Sequence, residues 1–385
     1  MVRKLGIYVA LILMVLIMTP AGVAVAGTRG ALPAACTKWV HTTSPNAGTG
    51  DNNLFGIAAV SARDAWAVGE YFVGVDTRTL IEHWNGKSWS VVKSPNAGPD
   101  NSLNAVYAVS ATDAWAAGSY YNGTAGRTLI EHWNGKSWSV VPSPNVGPGT
   151  NELTSVRGTS AHDIWVAGDT VTSYPVTRTL VLHWNGRRWR VASSPSVPAE
   201  PNFLNGVRPV SPAGAWAVGN FVRGPASRTL ILHWSGGHWR IVPSPDVGTQ
   251  TNTLRGALAS SPADAWAVGD YYNGTVDQTL IEHWNGHHWR VTSSPDVGTG
   301  SNDLAAIGGT SSANAYAVGR TIGGASSKTL IVHWDGKHWR VVPSRNPGTA
   351  DNDLDALYAL TPTSIWAAGN YNNGGFGRTL IEHCR

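Results

Sequence analysis

With 385 residues and 28 Lys and Arg against 24 Asp and Glu, the chain has a formal net charge of +4 and is long enough to bury a large core. Loss of an N-terminal leader carrying Arg3 and Lys4 would leave +2, too little to draw a nucleic acid by bulk charge, so no nucleic-acid partner is expected. Two cysteines exclude a disulfide-dense scaffold, and 19 tryptophans are the compositional anomaly to be explained.

Val2-Arg3-Lys4, the apolar run Leu5 to Met18, Pro20 and Ala24-Val25-Ala26 have the layout of a secretory signal, with cleavage expected after Ala26. An uncleaved anchor is the alternative. Residues 27–35 then form a short tether. A secreted or cell-envelope location follows, with no membrane insertion once the signal is removed. In that setting Cys36 and Cys384 are expected to form a disulfide.

From residue 36 to 385 the chain repeats about every fifty residues, with repeats starting near 52, 101, 151, 202, 252, 302 and 352. Trp66, Trp115, Trp165, Trp216, Trp266, Tyr316 and Trp366 fall in one column. Such a period marks an array of supersecondary units. Each unit reads as four short strands. An Asn-x-Leu start (Asn52 and Leu54) opens the first, Ala65-Trp66-Ala67-Val68-Gly69 is the second, and Thr79 to Val92 forms the hairpin of the third and fourth around Asn85-Gly86. Ser61 to Asp64 and Ser94-Pro95-Asn96-Ala97-Gly98 supply turns. Seven radially repeated four-stranded antiparallel units make an all-β, seven-bladed β-propeller.

The two ends complete one blade. Thr379 to Cys384 is a third strand without a fourth, whereas Cys36-Thr37-Lys38-Trp39-Val40 is a fourth without a third. Cys384 stands in the Trp84 column and Cys36 in the Gly86 column, so the ring is expected to close by the N-terminal strand completing the last blade. A cross-link over such a loop should contribute roughly 4–5 kcal/mol in the chain-entropy account.

The pairing of Ala65-Trp66-Ala67-Val68-Gly69 with Trp84-Asn85-Gly86-Lys87-Ser88-Trp89 resembles the kelch repeat over essentially the whole of 36–385. The second kelch glycine is replaced here by Glu70, Ser119, Asp169, Asn220, Asp270, Arg320 and Asn370. Kelch-like copper enzymes need a cysteine cross-linked to tyrosine; with both cysteines assigned to closure, that activity is not implied, and no cofactor is expected. Tryptophan-rich propeller lectins are similar in composition and repetition.

Shared columns read first as packing. His83, His132, His183, His233, His283, His333 and His383 recur once per blade, too dispersed for one metal site, and a bond to an Asp64-type residue is expected. No metal site is assigned: Asp351, Asp353 and Asp355 lack a full calcium-loop pattern. Arg187, Arg188, Arg190, His238, Arg240, His287, His288, Arg290, Lys337, His338 and Arg340 line one edge of blades three to six, where they could grip an anionic polymer or simply guard edge strands.

Positions that differ from blade to blade are the candidates for a ligand. They are Phe55, Asn104, Thr154, Asn205, Arg255, Ala305 and Asp355 near the top of the axis, with Tyr107, Arg157, Arg208 and Tyr358 deeper. A mixed polar, cationic and aromatic lining suits one ligand in a central funnel, or a solvated channel wall. The leading expectation is a monomeric, non-catalytic propeller that recognises an extracellular protein or glycan through its top face. The alternatives are a multivalent lectin with one site per blade at tryptophans such as Trp84, Trp133 and Trp184, and a lyase or hydrolase using Arg157, Arg208, Tyr107 and Tyr358.

Overall fold

The structure is a computed structural model that describes residue 36 and residues 38–173 and 176–385; the expected signal and tether lie outside the described residues. Its strands form seven four-stranded antiparallel sheets, and no helix occurs among the described residues. Blade one consists of Asn52–Ser61, Asp64–Val73, Asp76–Trp84 and Trp89–Val91. Five blades repeat that order. The seventh takes Asn352–Thr361, Ser364–Tyr371 and Arg378–Cys384 and adds Trp39–His41 from the N-terminus, with Trp39 opposite Cys384 and His41 opposite Glu382. Cys36 and Cys384 are disulfide-bonded, their Cα atoms 5.9 Å apart, so the ring closes as the end-to-end blade required.

The recurring columns are consumed by packing between and within blades. Trp66 is 1% exposed and lies 5.0 Å from Trp133 and 5.2 Å from Trp138 of the next blade, ring centre to ring centre. The same trio recurs around the ring, through to Trp366 against Trp84 and Trp89. Such contacts combine large apolar burial with favourable tilted and edge-on geometry. Tyr316 is the exception, and ring closure explains it. The blade it faces has Cys384 where the others have a tryptophan, and the Tyr316 hydroxyl accepts a 2.6 Å hydrogen bond from the Cys36 N–H while its ring meets Trp39.

Histidine packs on the same tryptophan. The His83 ring lies 4.2 Å from that of Trp66, and its Nε2 donates to Asp64 Oδ1 at 2.8 Å. His132, His183 and His283 repeat the bond to Asp113, Asp163 and Asp264, while His333 uses Asn314 and His383 meets Ser364. Among the described residues His233 has no partner for its buried Nε2, because Gly214 occupies the acceptor position. A Cβ added at Gly214 would have its nearest neighbours at 3.6 and 3.7 Å, so a side chain fits. Gly214→Asp should therefore raise the melting temperature by roughly 1–3 °C by supplying a hydrogen bond worth about 1 kcal/mol. An unchanged or lower melting temperature would show that the geometry does not deliver that bond.

The Asn-x-Leu asparagine pins the loop arriving from the preceding blade: Asn52 Oδ1 accepts from the Ala47 N–H at 2.7 Å and Nδ2 donates to the Gly50 carbonyl. One further column is fully buried although it is acidic. Glu82, Glu131, Glu282 and Glu382 are 0% exposed on third strands, where the remaining blades carry Leu182, Leu232 and Val332. Each carboxyl faces the loop of a neighbouring blade. Ser94 donates to Glu131 at 3.0 Å and the Arg345 N–H to Glu382 at 3.2 Å; Ser44 lies beside Glu82 but is held by Thr379 at 2.6 Å.

Candidate functional site

The first strands line the axis, and a bulge in each decides what they present to it. The pairing register slips between Leu54 and Gly56, between Leu103 and Ala105, and at the equivalent place in every other blade. Each bulge leaves one extra residue, and those seven are Phe55, Asn104, Thr154, Asn205, Arg255, Ala305 and Asp355, the divergent ring of the sequence. A β-bulge re-aims a side chain. Here it turns all seven toward the channel, where they line one cavity of about 100 Å³. The strand opposite needs glycine for this: a Cβ at Gly69 would sit 1.9 Å from the Asn53 carbonyl oxygen.

Within the ring the chemistry divides. Asn104, Thr154 and Asn205 donate to the carbonyls of Leu153, Leu204 and Leu254 at 2.9, 2.7 and 2.7 Å, each reaching the next blade. Those three stitch the channel wall. Arg255 forms an ion pair with Asp270 at 2.7 Å. Asp355 makes no such bond among the described residues, and burial together with Asp353 pushes its carboxyl up to about 7.

A second ring encircles the first. It is built from the residues that depart from the kelch glycine, paired with the middle residue of each Asn-x-Leu. Arg320 bonds Asp303 at 3.0 Å and approaches Asp353 at 3.7 Å. Burial, followed by the charge of Glu152, raises Asp169 to about 7, and burial also raises Glu70 and Glu152. Two carboxyls of the mouth, Asp169 and Asp355, are thus both raised to about 7. This ring was visible in sequence as a divergent column, but as a departure from a repeat pattern rather than as part of a site.

Three residues below each bulge the column reads Ala58, Tyr107, Arg157, Arg208, Leu258, Gly308 and Tyr358. Arg157 lines the cavity, whereas Tyr107, Arg208 and Tyr358 are not among the residues that line it. Arg157 Nη1 donates to the carbonyls of Val106 and Val156 at 2.9 and 3.0 Å. Arg208 makes no hydrogen bond among the described residues, and its Nε is buried without a partner. Burial and then Tyr358 raise the Tyr107 hydroxyl above its ordinary value. That is the wrong direction for a general base near pH 7.

The outer tryptophans are engaged elsewhere. Trp84 is 8% exposed, and the indole N–H groups of Trp84, Trp133 and Trp184 donate to the carbonyls of Ala62, Ala111 and Ala161 at 3.1–3.2 Å. The basic arc of Arg187, Arg188, Arg190, Arg240, Arg290 and Arg340 is exposed on the outer hairpins, beside exposed Val191, Val291 and Val341. Asp351 is spent on the Ser327 N–H at 2.9 Å, and no group of three potential metal ligands converges among the described residues.

Fold and cavity together define the class: a seven-bladed β-propeller with a bulge-lined axial channel. No protein-family model and no curated protein matches the chain, so the kelch likeness rests on its repeat alone. Solved structures do match. YCF48 from Cyanidioschyzon merolae is 14% identical with a TM-score of 0.56, covering 91% of this chain and 99% of its own. YCF48 bound to a D1 peptide is 13% identical, TM-score 0.55, over 92% and 98%. A PL25 ulvan lyase, solved with -[GlcA(1-4)Rha3S]-, is 10% identical, TM-score 0.55, over 89% and 95%. What these identities share with the chain is the fold.

Proposed function

We propose that this propeller is a secreted, non-catalytic, kelch-like binding protein that recognises an extracellular protein or glycan through the top of its axial channel. One observation carries the reading: seven residues that diverge from blade to blade are the seven that bulges turn into the channel. Columns shared by the blades are absorbed by packing, and within this ring Phe55 and Asp355 stand outside the interblade bonds that engage Asn104, Thr154 and Asn205. The fold neighbours include a propeller solved with a peptide and a lyase solved with an acidic polysaccharide, so both partner classes are compatible with the architecture. A binding role is preferred to a lyase because Tyr107 is shifted away from a base, and to a per-blade lectin because the outer indoles of Trp84, Trp133 and Trp184 are already packed and hydrogen-bonded.

The test begins with a glycan array and a pull-down from envelope extract. Phe55→Ala combined with Asp355→Asn, two ring residues outside the interblade stitching, should weaken capture at least about tenfold. Titration should give one ligand per chain. Several equivalent sites, or undiminished capture by the double variant, would refute a central site.

A further inference from the structure

We propose that Arg157 and Arg208, together with the hydroxyls of Tyr107 and Tyr358, form a site for a single oxyanion group in the channel, a sulfate, phosphate or carboxylate, free or carried on a sugar. The inference rests on the channel being a binding site and names the chemistry that it selects. The four side chains come from blades two, three, four and seven. They offer guanidinium N–H and phenol O–H donors, of which only Arg157 Nη1 is used among the described residues.

Charge is the stronger argument. The charged neighbours acting on Arg157 are Arg208, Tyr358 and Tyr107, and those acting on Arg208 are Tyr358 and Tyr107; no carboxylate is among them. Two half-buried guanidinium groups on adjacent blades thus repel one another with no carboxylate paired to either among the described residues. Burial, with repulsion from Arg208 second, lowers Arg157 to about 10. Desolvated like charges are costly unless something neutralises them. Packing does not demand them, because Ala58, Leu258 and Gly308 fill the same position in other blades. An oxyanion would satisfy the free donors through charge-assisted bonds and remove the repulsion.

Size restricts the ligand. The cavity above Arg157, about 100 Å³, is well below the roughly 300 Å³ at which pockets begin to enclose a whole drug-sized ligand. It admits one acidic group, not a polymer segment. The acidic mouth, with Asp355 and Asp169, opposes a free anion on entry but does not neutralise the arginines below.

The test is calorimetric and thermal titration of the purified chain with sodium sulfate and sodium phosphate against sodium chloride at matched ionic strength. The expected result is saturable binding of one ion per chain with a matching rise in melting temperature. Arg157→Met and Arg208→Met should each weaken binding roughly thirtyfold or more, the scale of removing one partner from a buried charge pair. Tyr358→Phe, which keeps the ring and the fold, should weaken it severalfold. Glucuronate and glucose 6-sulfate binding more tightly than the inorganic ions, with glucose inert, would assign the group to a sugar; the reverse order would assign it to a free ion. A non-saturating rise identical in wild type and variants, or no binding to wild type, would overturn the site. Sulfate binding one to one without competing with a captured partner would uphold the anion site and move the partner elsewhere. Partner binding in the channel with no oxyanion bound would overturn the anion site alone.

Discussion

Cys384→Ser is expected to lower the melting temperature by about 5–10 °C. The disulfide spans 348 residues, and removing a cross-link over so long a loop costs on the order of 5 kcal/mol in the chain-entropy account. Its place in the fold sharpens the expectation. The closing strand Trp39–His41 is only three residues long, and it holds the seventh blade through its pairing with Cys384, His383 and Glu382 and through Trp39 against Tyr316. Without the bond, opening begins at that seam. Scanning calorimetry of the variant, and of wild type under reductant, should give the same lowered transition. A melting temperature unchanged in both would mean that strand pairing alone closes the ring.

The second large effect is a loss of stability as pH rises. Burial raises Glu82 and Glu131 to about 8 and Glu382 to about 7, and drives Glu282 well above the carboxylate range. An unfolded glutamate titrates near 4.3. For each, the folded state keeps its proton while the unfolded state loses it, so their contribution is complete below about pH 4.3 and is lost progressively up to the folded value. Histidines act oppositely: burial lowers His383 to about 4 and also lowers His233 and His333, so their contribution falls as pH drops below 6.5. Above pH 6.5 the histidines are neutral in both states and the glutamates act unopposed. The melting temperature should therefore fall by roughly 5 °C or more from pH 6 to pH 8. Glu82→Gln and Glu282→Leu should each flatten that slope and raise the melting temperature at pH 8, Leu being the residue that other blades carry there. A slope unchanged in the combined variant would assign the pH effect to other groups.

The fold was legible because a propeller writes each packing role seven times. The Trp66 column, the Asn85-Gly86 type turn and the split blade at the termini each constrain the architecture independently, and four histidines of the His83 column met the Asp64-type partners that their position called for. Tyr316 was visible only as an exception. Its reason lies in Cys36 and Trp39, almost three hundred residues away, which no periodicity connects to it. The buried glutamates were hidden for a different reason. Glu82 lies among Leu80, Ile81 and His83 on a strand covered on both faces, so an alternating polar residue no longer signals solvent. At the candidate site, blade-to-blade divergence pointed to the ring that lines the channel but not to its internal division. Asn104, Thr154 and Asn205 look as available as Phe55 in sequence; bonds to the next blade's carbonyls commit them to the wall. The bulge is what makes Phe55 and Asp355 neighbours, and its trace in sequence is slight: a leucine, one variable residue, then a small one.

The most direct measurement places a photoreactive benzophenone side chain at Phe55, in the channel mouth, and in a second protein at Trp133, on the outer rim. After irradiation in envelope extract, a central site predicts a discrete cross-linked product from position 55 and none from position 133. Cross-linking from position 133 with position 55 silent would contradict the account and return function to the rim.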